Sequence, residues 1–514
     1  MSNVKNLSPR KLASQLVIPR LSAEEYSKNK EYKEKIHQFV KEGVGGFCIF
    51  GGSPQIVRNL TDDLQIMADI PLIFCADLEN GLTMRLDNGT DFPHAMALGR
   101  ANDVKMARKV ATTIAKEAKL VGINWNLSPV CDINSNENNP IINIRSFGET
   151  ADVVGRFSQA YIKGTQSQKV MACAKHFPGH GNTDVDSHIG FPVLQESMDE
   201  IDKKELAPFR KAIDSKVRSI MTGHFLIPAL DNTDTPFSLS KKAVEILREK
   251  LDFRGIILSD ALDMRSITEK YGSGNAALLA FKAGNDIILM PEDPIDAIDK
   301  LEKEISDNET YRHQALESAE RLYKEKQWCG ITLPMIEMDQ KTLEHYAMEH
   351  QKLALDAAEP ALEITGRQNI VPINEDSVVS GFSFVFGDEM DKGILFFKML
   401  AQAIENDVHF GFIDDKISSD EILKLVEETK MSDLMIFSFF VRGRAYQKRI
   451  DITDRINEIM GMLAGKKETL VILFGNPYLS KKLNTKNIIL TYSDSLPSIA
   501  AAVMKLSGRT ANIN

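Results

Sequence analysis

Over the first 335 residues, short apolar runs that end in polar residues alternate with stretches of helical periodicity. Eight runs stand out: SQLVI (14–18), GGFCIF (45–50), PLIFCAD (71–77), GINWNLSPV (122–130), KVMACAKH (169–176), RSIMTGH (218–224), RGIILSD (254–260) and DIILMP (286–291). Parallel strands covered on both faces read as near-continuous apolar runs rather than as alternating ones, and these do. Amphipathic stretches lie between them, such as DEIDKKELAPFRKAI from Asp199 to Ile213, and suit crossover helices. Eight strand–helix units of this size predict an N-terminal (β/α)8 TIM-type barrel over residues 1–340.

The pattern then changes. Residues 341–373 begin as one long helical stretch and continue irregularly, which marks a linker helix and connection. A second rhythm follows in FSFVFGD (382–388), VHFGFID (408–414), LMIFSFF (434–440), TLVILFGNP (469–477) and NIILTYSD (487–494). It predicts an open parallel sheet between helices over 374–514, a three-layer α/β/α sandwich, so that the whole chain is of the α/β class. This region carries neither a G-x-G-x-x-G nor a P-loop, so no nucleotide is expected, and the basic RGRAYQKR (442–449) reads as a solvated loop.

Composition narrows the function classes. A formal net charge of -10 without a long basic run argues against a nucleic-acid partner. No stretch reaches the roughly 18 apolar residues of a membrane span, and MSNVKNLSPRKLASQLVIPRL lacks the apolar core of a signal peptide, so a cytoplasmic location away from the membrane is expected. Five cysteines without CxxC spacing, four of them in or just after apolar runs, suit reduced and buried thiols. Oligomeric state has no signature in the sequence.

In a barrel of this kind the polar tails of the strands converge on one face, where barrel enzymes place their chemistry. The tails supply Asp77, Asn126, Lys175, His176, His224 and Asp260. The fifth run continues as KHFPGHGNTDVDSH (175–188), in which Pro178, Gly179 and Gly181 preclude a helix. His176 and His180 are therefore not displayed on one helical face as a zinc-binding pair would be. Within Asp186-Ser187-His188 a carboxylate two residues before an imidazole can hold its tautomer and raise its basicity, giving a dyad able to donate and accept a proton near neutral pH. Asp260 ends a strongly apolar strand, where a carboxylate is costly unless it meets water, a partner or a ligand, and it is the candidate nucleophile. Asp263 reads as a first-turn carboxylate favoured by the helix dipole. Asp77, Arg85 and Arg145 can bind hydroxyls, and spacing alone leaves the two arginines equally open to structural ion pairing.

These segments together resemble the family 3 glycoside hydrolases, specifically the cytosolic β-N-acetylglucosaminidases of peptidoglycan recycling. The resemblance rests on KHFPGHG (175–181) followed by DSH (186–188), with DLENGLTMR (77–85), NLSPVCDIN (126–134), RSFGE (145–149), MTGH (221–224) and SDALDM (259–264) in order. It implies a retaining, exo-acting enzyme without a cofactor or metal. Asp260 would be its nucleophile, His188 with Asp186 its acid/base dyad, and Asp77, Arg85, Arg145, Lys175 and His176 its grip on the terminal sugar. The implied partner is a small carbohydrate, a muropeptide or chitooligosaccharide containing N-acetylglucosamine. A neutral imidazole repels anions less than a carboxylate does, so phosphorolysis is a variant of the same reaction, as is β-glucoside cleavage. A metal-dependent barrel hydrolase using His176, His180, His224 and Asp260 is the reading from another class.

Overall fold

Apart from Arg20–Ser22, the strands of the first region are short and buried along almost their whole length, so their neighbours are fixed by packing as much as by hydrogen bonds. The computed structural model describes residues 4–183, 190–230, 233–331, 340–367, 370–385, 390–443 and 451–509, with 340–348 described by their backbone alone. Two units emerge: Met1–Thr90 with Val104–Ile142 and Ser146–His350, and Asp91–Asp103 with Asn143–Arg145 and Gln351–Asn514.

In the first unit the strands are β1 (Val17–Ile18), β2 (Arg20–Ser22), β3 (Gly46–Phe50), β4 (Ile73–Ala76), β5 (Trp125–Asn126), β6 (Met171–Phe177), β7 (Ser219–Thr222), β8 (Ile256–Ser259) and β9 (Ile288–Leu289). β2 to β8 form one curled parallel sheet in chain order, β1 pairs with β9 in parallel, and a bridge between Leu258 and Ile287 connects β8 to the start of that pair. Cys48, Cys75, Trp125 and Met171 stand side by side across four strands and share one apolar cluster with Ile73, Cys173, Leu258 and Leu289. All five cysteines are buried free thiols, as the absence of paired spacing implied. The indole N–H of Trp125 donates to Ser219 Oγ at 2.8 Å, and that hydroxyl donates to the Ala172 carbonyl, so no polar group of this trio is stranded.

Two of the crossover helices begin where the sequence places a cap before a proline. Ser53 accepts from the Ile56 N–H ahead of the helix Pro54–Met67, and Asp293 accepts from the Ile295 and Asp296 N–H groups ahead of Pro294–Asp307. Proline fits the first turn because its missing N–H would have had no helical partner. The amphipathic stretch from Asp199 is not one uniform helix. A short helix, Met198–Glu200, runs through a π-helical turn, Ile201–Glu205, into Leu206–Asp214.

In the second unit the strands are β10 (Glu363–Thr365), β11 (Val379–Phe384), β12 (Val408–Ile413), β13 (Leu434–Val441), β14 (Glu468–Gly475) and β15 (Ile488–Leu490), in the sheet order β10-β15-β14-β13-β11-β12. All pairings are parallel except that of β10, which lies antiparallel on β15 and comes from the stretch read as an irregular connection. Side chains alternate between two cores. Phe437, Phe439 and Val441 pack with Ile456, Ile459 and Leu463 of the helix Asp454–Ala464, whereas Ile436 and Phe440 pack with Phe396 and Leu400 of Met390–Ile404 and Ile499 and Val503 of Leu496–Ser507. The period of two is that of a strand with both faces covered. No helix among the described residues is long and apolar enough to cross a membrane.

Candidate active site

Because β2 to β8 run parallel, the residues that follow their last positions share one rim of the sheet. Asp77 follows β4, Lys175 and His176 lie within the end of β6, and Asp260 follows β8. The two β6 residues thus belong to the strand itself and not to the loop after it, because the strand extends through Phe177, with a register shift between Ala174 and Phe177.

Asp77 and Lys175 form the centre of a charge network. The ammonium of Lys175, only 2% exposed, donates to Asp77 Oδ1 at 2.7 Å and lies 2.8 Å from Glu79 Oε1. Arg85 Nη2 donates to Asp77 Oδ2 at 2.5 Å, and its guanidinium carbon lies 4.9 Å from the centre of the Phe50 ring. Burial opposes the charge of Asp77, but Lys175 and Arg85 outweigh it and hold the carboxyl well below the usual carboxylate range. The segment carrying these acids is fixed from beneath. Asn126 accepts from the Leu78 N–H and donates to the Leu78 carbonyl, both at 3.1 Å, and the Tyr161 hydroxyl lies 3.0 Å from the carbonyls of Leu78 and Glu79. Asn126 therefore acts on the backbone of the network.

A second network holds the turn that follows. Asp132 is fully buried; its Oδ1 accepts from the backbone N–H groups of His176 at 3.1 Å and His180 at 2.8 Å, and its Oδ2 lies 2.8 Å from His176 Nδ1. The Thr183 hydroxyl donates to the His180 carbonyl, which leaves its oxygen to accept from His180 Nδ1 at 2.7 Å. Gly181 permits a close approach that no other residue could make, since a Cβ there would lie 1.7 Å from the Ile133 carbonyl oxygen. The Lys175–His176 and Phe177–Pro178 peptide bonds are both cis.

Asp260 is anchored through its own N–H, which donates to the Thr222 carbonyl at 2.9 Å, while its Oδ1 accepts from the Ala261 N–H at 2.8 Å. His224 supports the same segment: its Nε2 lies 3.0 Å from the Ala261 carbonyl and must donate there, so Nδ1 of the neutral ring accepts from the Ser238 hydroxyl at 2.5 Å. With both nitrogens engaged, His224 is not available as a metal ligand. Burial pushes the Cys173 thiol up to about 12, and the charges of Lys175, Asp77 and Asp260 all act on it.

The remaining candidates separate. Arg145 ends a 3-10 turn, Asn143–Arg145, that groups with the second unit. Asp263 precedes the helix Arg265–Tyr271 and is paired with Arg20 at 2.7 Å, so an ion pair rather than a first-turn position accounts for it. Asp186 and His188 lie outside the described residues, as do residues 444–449 of the basic stretch. Sequence reasoning missed Glu79 and Asp132 as individual residues, although both stand inside quoted motifs; Glu79 is two residues from Asp77, the spacing that returns a side chain to the same side of an extended chain.

The arrangement offers several fixed, charged groups, the kind of surface that recognises a polyhydroxylated molecule, beside a carboxylate at the next strand end but one. Comparison with known proteins points the same way. The model of the glycosyl hydrolase family 3 N-terminal domain matches residues 10–324. A beta-hexosaminidase A of Pseudoalteromonas piscicida is 32% identical over 371 residues, 65% of this chain and 62% of that protein. A beta-hexosaminidase of Nitrosomonas eutropha is 35% identical over 269 residues, 50% of this chain and 76% of that one. The chain thus spans less than two thirds of the first relative. Among solved structures, a glycoside hydrolase family 3 beta-N-acetylglucosaminidase from Paenibacillus sp. superimposes with a TM-score of 0.84 at 27% identity, covering 98% of this chain and 97% of that one. The matched domain takes in Asp77, Lys175, His176 and Asp260, and the chain belongs to glycosyl hydrolase family 3.

Proposed function

We propose that this protein is a retaining, exo-acting β-N-acetylglucosaminidase that removes terminal β-linked N-acetylglucosamine from peptidoglycan or chitin fragments in the cytoplasm, without cofactor. The observation that carries the reading is the shared rim, where Asp260 after β8 accompanies Asp77 after β4 and Lys175 at the end of β6. The names of the beta-hexosaminidase relatives support the sugar. In the finer fold that goes with it, residues 1–340 close as a (β/α)8 barrel, 341–373 connect, and 374–514 form an α/β/α sandwich.

Asp260 attacks the anomeric carbon while His188 gives a proton to the departing oxygen, and a covalent glycosyl-enzyme forms. His188, its tautomer held by Asp186, then takes a proton from water; the resulting hydroxyl attacks the same carbon and frees Asp260. Two inversions retain the configuration. Asp77, Arg85, Arg145, Lys175 and His176 hold the sugar, with Asp132 fixing the His176 ring from behind. The test is a paired assay of nitrophenyl N-acetyl-β-glucosaminide and β-glucoside, with and without phosphate. Faster release from the N-acetylglucosaminide, with free sugar as the product in both buffers, supports the reading. Preference for the glucoside overturns the sugar, and accumulation of sugar 1-phosphate overturns hydrolysis.

A further inference from the structure

Glu205, the last residue of the π-helical turn, is 1% exposed, and neither of its carboxyl oxygens has a hydrogen-bond partner among the described residues. It packs directly under the histidine turn. A Cβ at Gly179 would lie 2.7 Å from Glu205 Oε2 and 3.2 Å from Glu205 Cβ, so the turn rests directly on this side chain, and the φ of +142° there favours glycine. Gly179 lies between the two residues, His176 and His180, whose N–H groups Asp132 holds. Among the described residues, the charged groups that act most on Glu205 are Lys204 on its own turn, with Nζ 3.6 Å from Oε1, Glu196 from the preceding segment, and Asp132 from the loop after β5. Glu196 in turn accepts from Asn182, so the same turn is held at its far end.

We propose that Glu205 is a positioning residue for the turn from His176 to Thr183 and does so as the uncharged acid: neutral, it is a fitted support beneath Gly179, and ionised, it repels Asp132 and loosens the hold on His176. A buried carboxylate without hydrogen bonds is costly, whereas its acid form is far less so. Burial raises the Glu205 carboxyl to about 7; Lys204 opposes the rise, and Glu196 and Asp132 add to it. The folded value lies above the ordinary one, so the contribution to stability is complete below about 4.5 and is lost as pH rises through about 7. The consequence for sugar binding rests on the proposed role of His176; the consequence for the fold does not.

Glu205→Gln keeps the shape of the neutral acid and removes the ionisation. Melting temperatures of the natural protein and this variant are expected to coincide at pH 4 and to separate by several degrees at pH 8, with the variant higher. The KM for nitrophenyl N-acetyl-β-glucosaminide is expected to rise several-fold from pH 6 to 8 in the natural protein and to stay level in the variant. Glu205→Met, which removes the polar atoms as well, is expected to show the same level pH dependence. Parallel melting curves, an unchanged alkaline rise of KM in Glu205→Gln, or lower melting of both variants at pH 8 would each overturn the proposal. If neither protein turns the substrate over, the proposed activity fails and the melting curves alone decide the role of Glu205.

Discussion

Lys175 lies between two carboxylates, and His176 beside it is held at both its ring and its backbone by a third, Asp132. The consequence is a site whose charges are committed before any ligand arrives, with little reorganisation left to make on binding. Asp132→Asn keeps an acceptor for the two N–H groups but loses the charge opposite His176 Nδ1. It is expected to lower kcat/KM by roughly 10- to 100-fold with the fold intact, since partners that orient a functional histidine have effects of that size; steady-state kinetics with a circular dichroism control would measure it. Residues of this kind are hard to read in a sequence. Asp77 and Asp260 were legible because each ends an apolar run, where a charge is out of place. Asp132 also follows an apolar stretch, but its partners lie more than forty residues further on, and only the fold brings them together.

The strand β6 and the turn that follows it form one element with two anchors, the Asp132–Ile133 segment, against which Gly181 packs, and Glu205 beneath Gly179. Gly181→Ala would place a methyl group 1.7 Å from a backbone oxygen that has no flexible side chain to yield. A loss of about 2 kcal/mol or more is expected, as for overpacked interior sites, and urea unfolding would measure it. The eight short apolar runs of the first region all contain strands because double burial writes them as continuous hydrophobic stretches. β2 was not legible, since Arg20–Ser22 holds a single apolar residue between two polar ones, and β10, a three-residue antiparallel edge, has no run at all. The amphipathic period of 199–213 correctly marked a helical stretch but carried no sign of the π turn that places Glu205 beneath Gly179.

In the first unit the helix Glu309–Cys329 buries Lys326, whose ammonium has Gln15 Oε1 at 3.0 Å and no ion pair among the described residues. Burial lowers its pKa to about 7, below the ordinary lysine value. Between about 7 and 10.5 the unfolded chain binds the proton more tightly, so this group makes stability rise with pH across that window and costs most at and below pH 7. Lys326→Met is expected to gain about 1–2 kcal/mol at pH 7, after the loss of the Gln15 bond, and to flatten the rise, which denaturant titration at pH 7 and 10 would show. Such a residue affects the whole fold and leaves the chemistry alone; the proposed chemistry rests on Asp260 carrying the sugar. Asp260→Ala should therefore lose about 1,000-fold or more in kcat. The most direct measurement is mass spectrometry of the peptides after inactivation with a 5-fluoro N-acetylglucosaminyl fluoride. A sugar adduct on Asp260, in proportion to the activity lost, is the result predicted; an adduct on another residue, or inactivation with Asp260 unmodified, would contradict it.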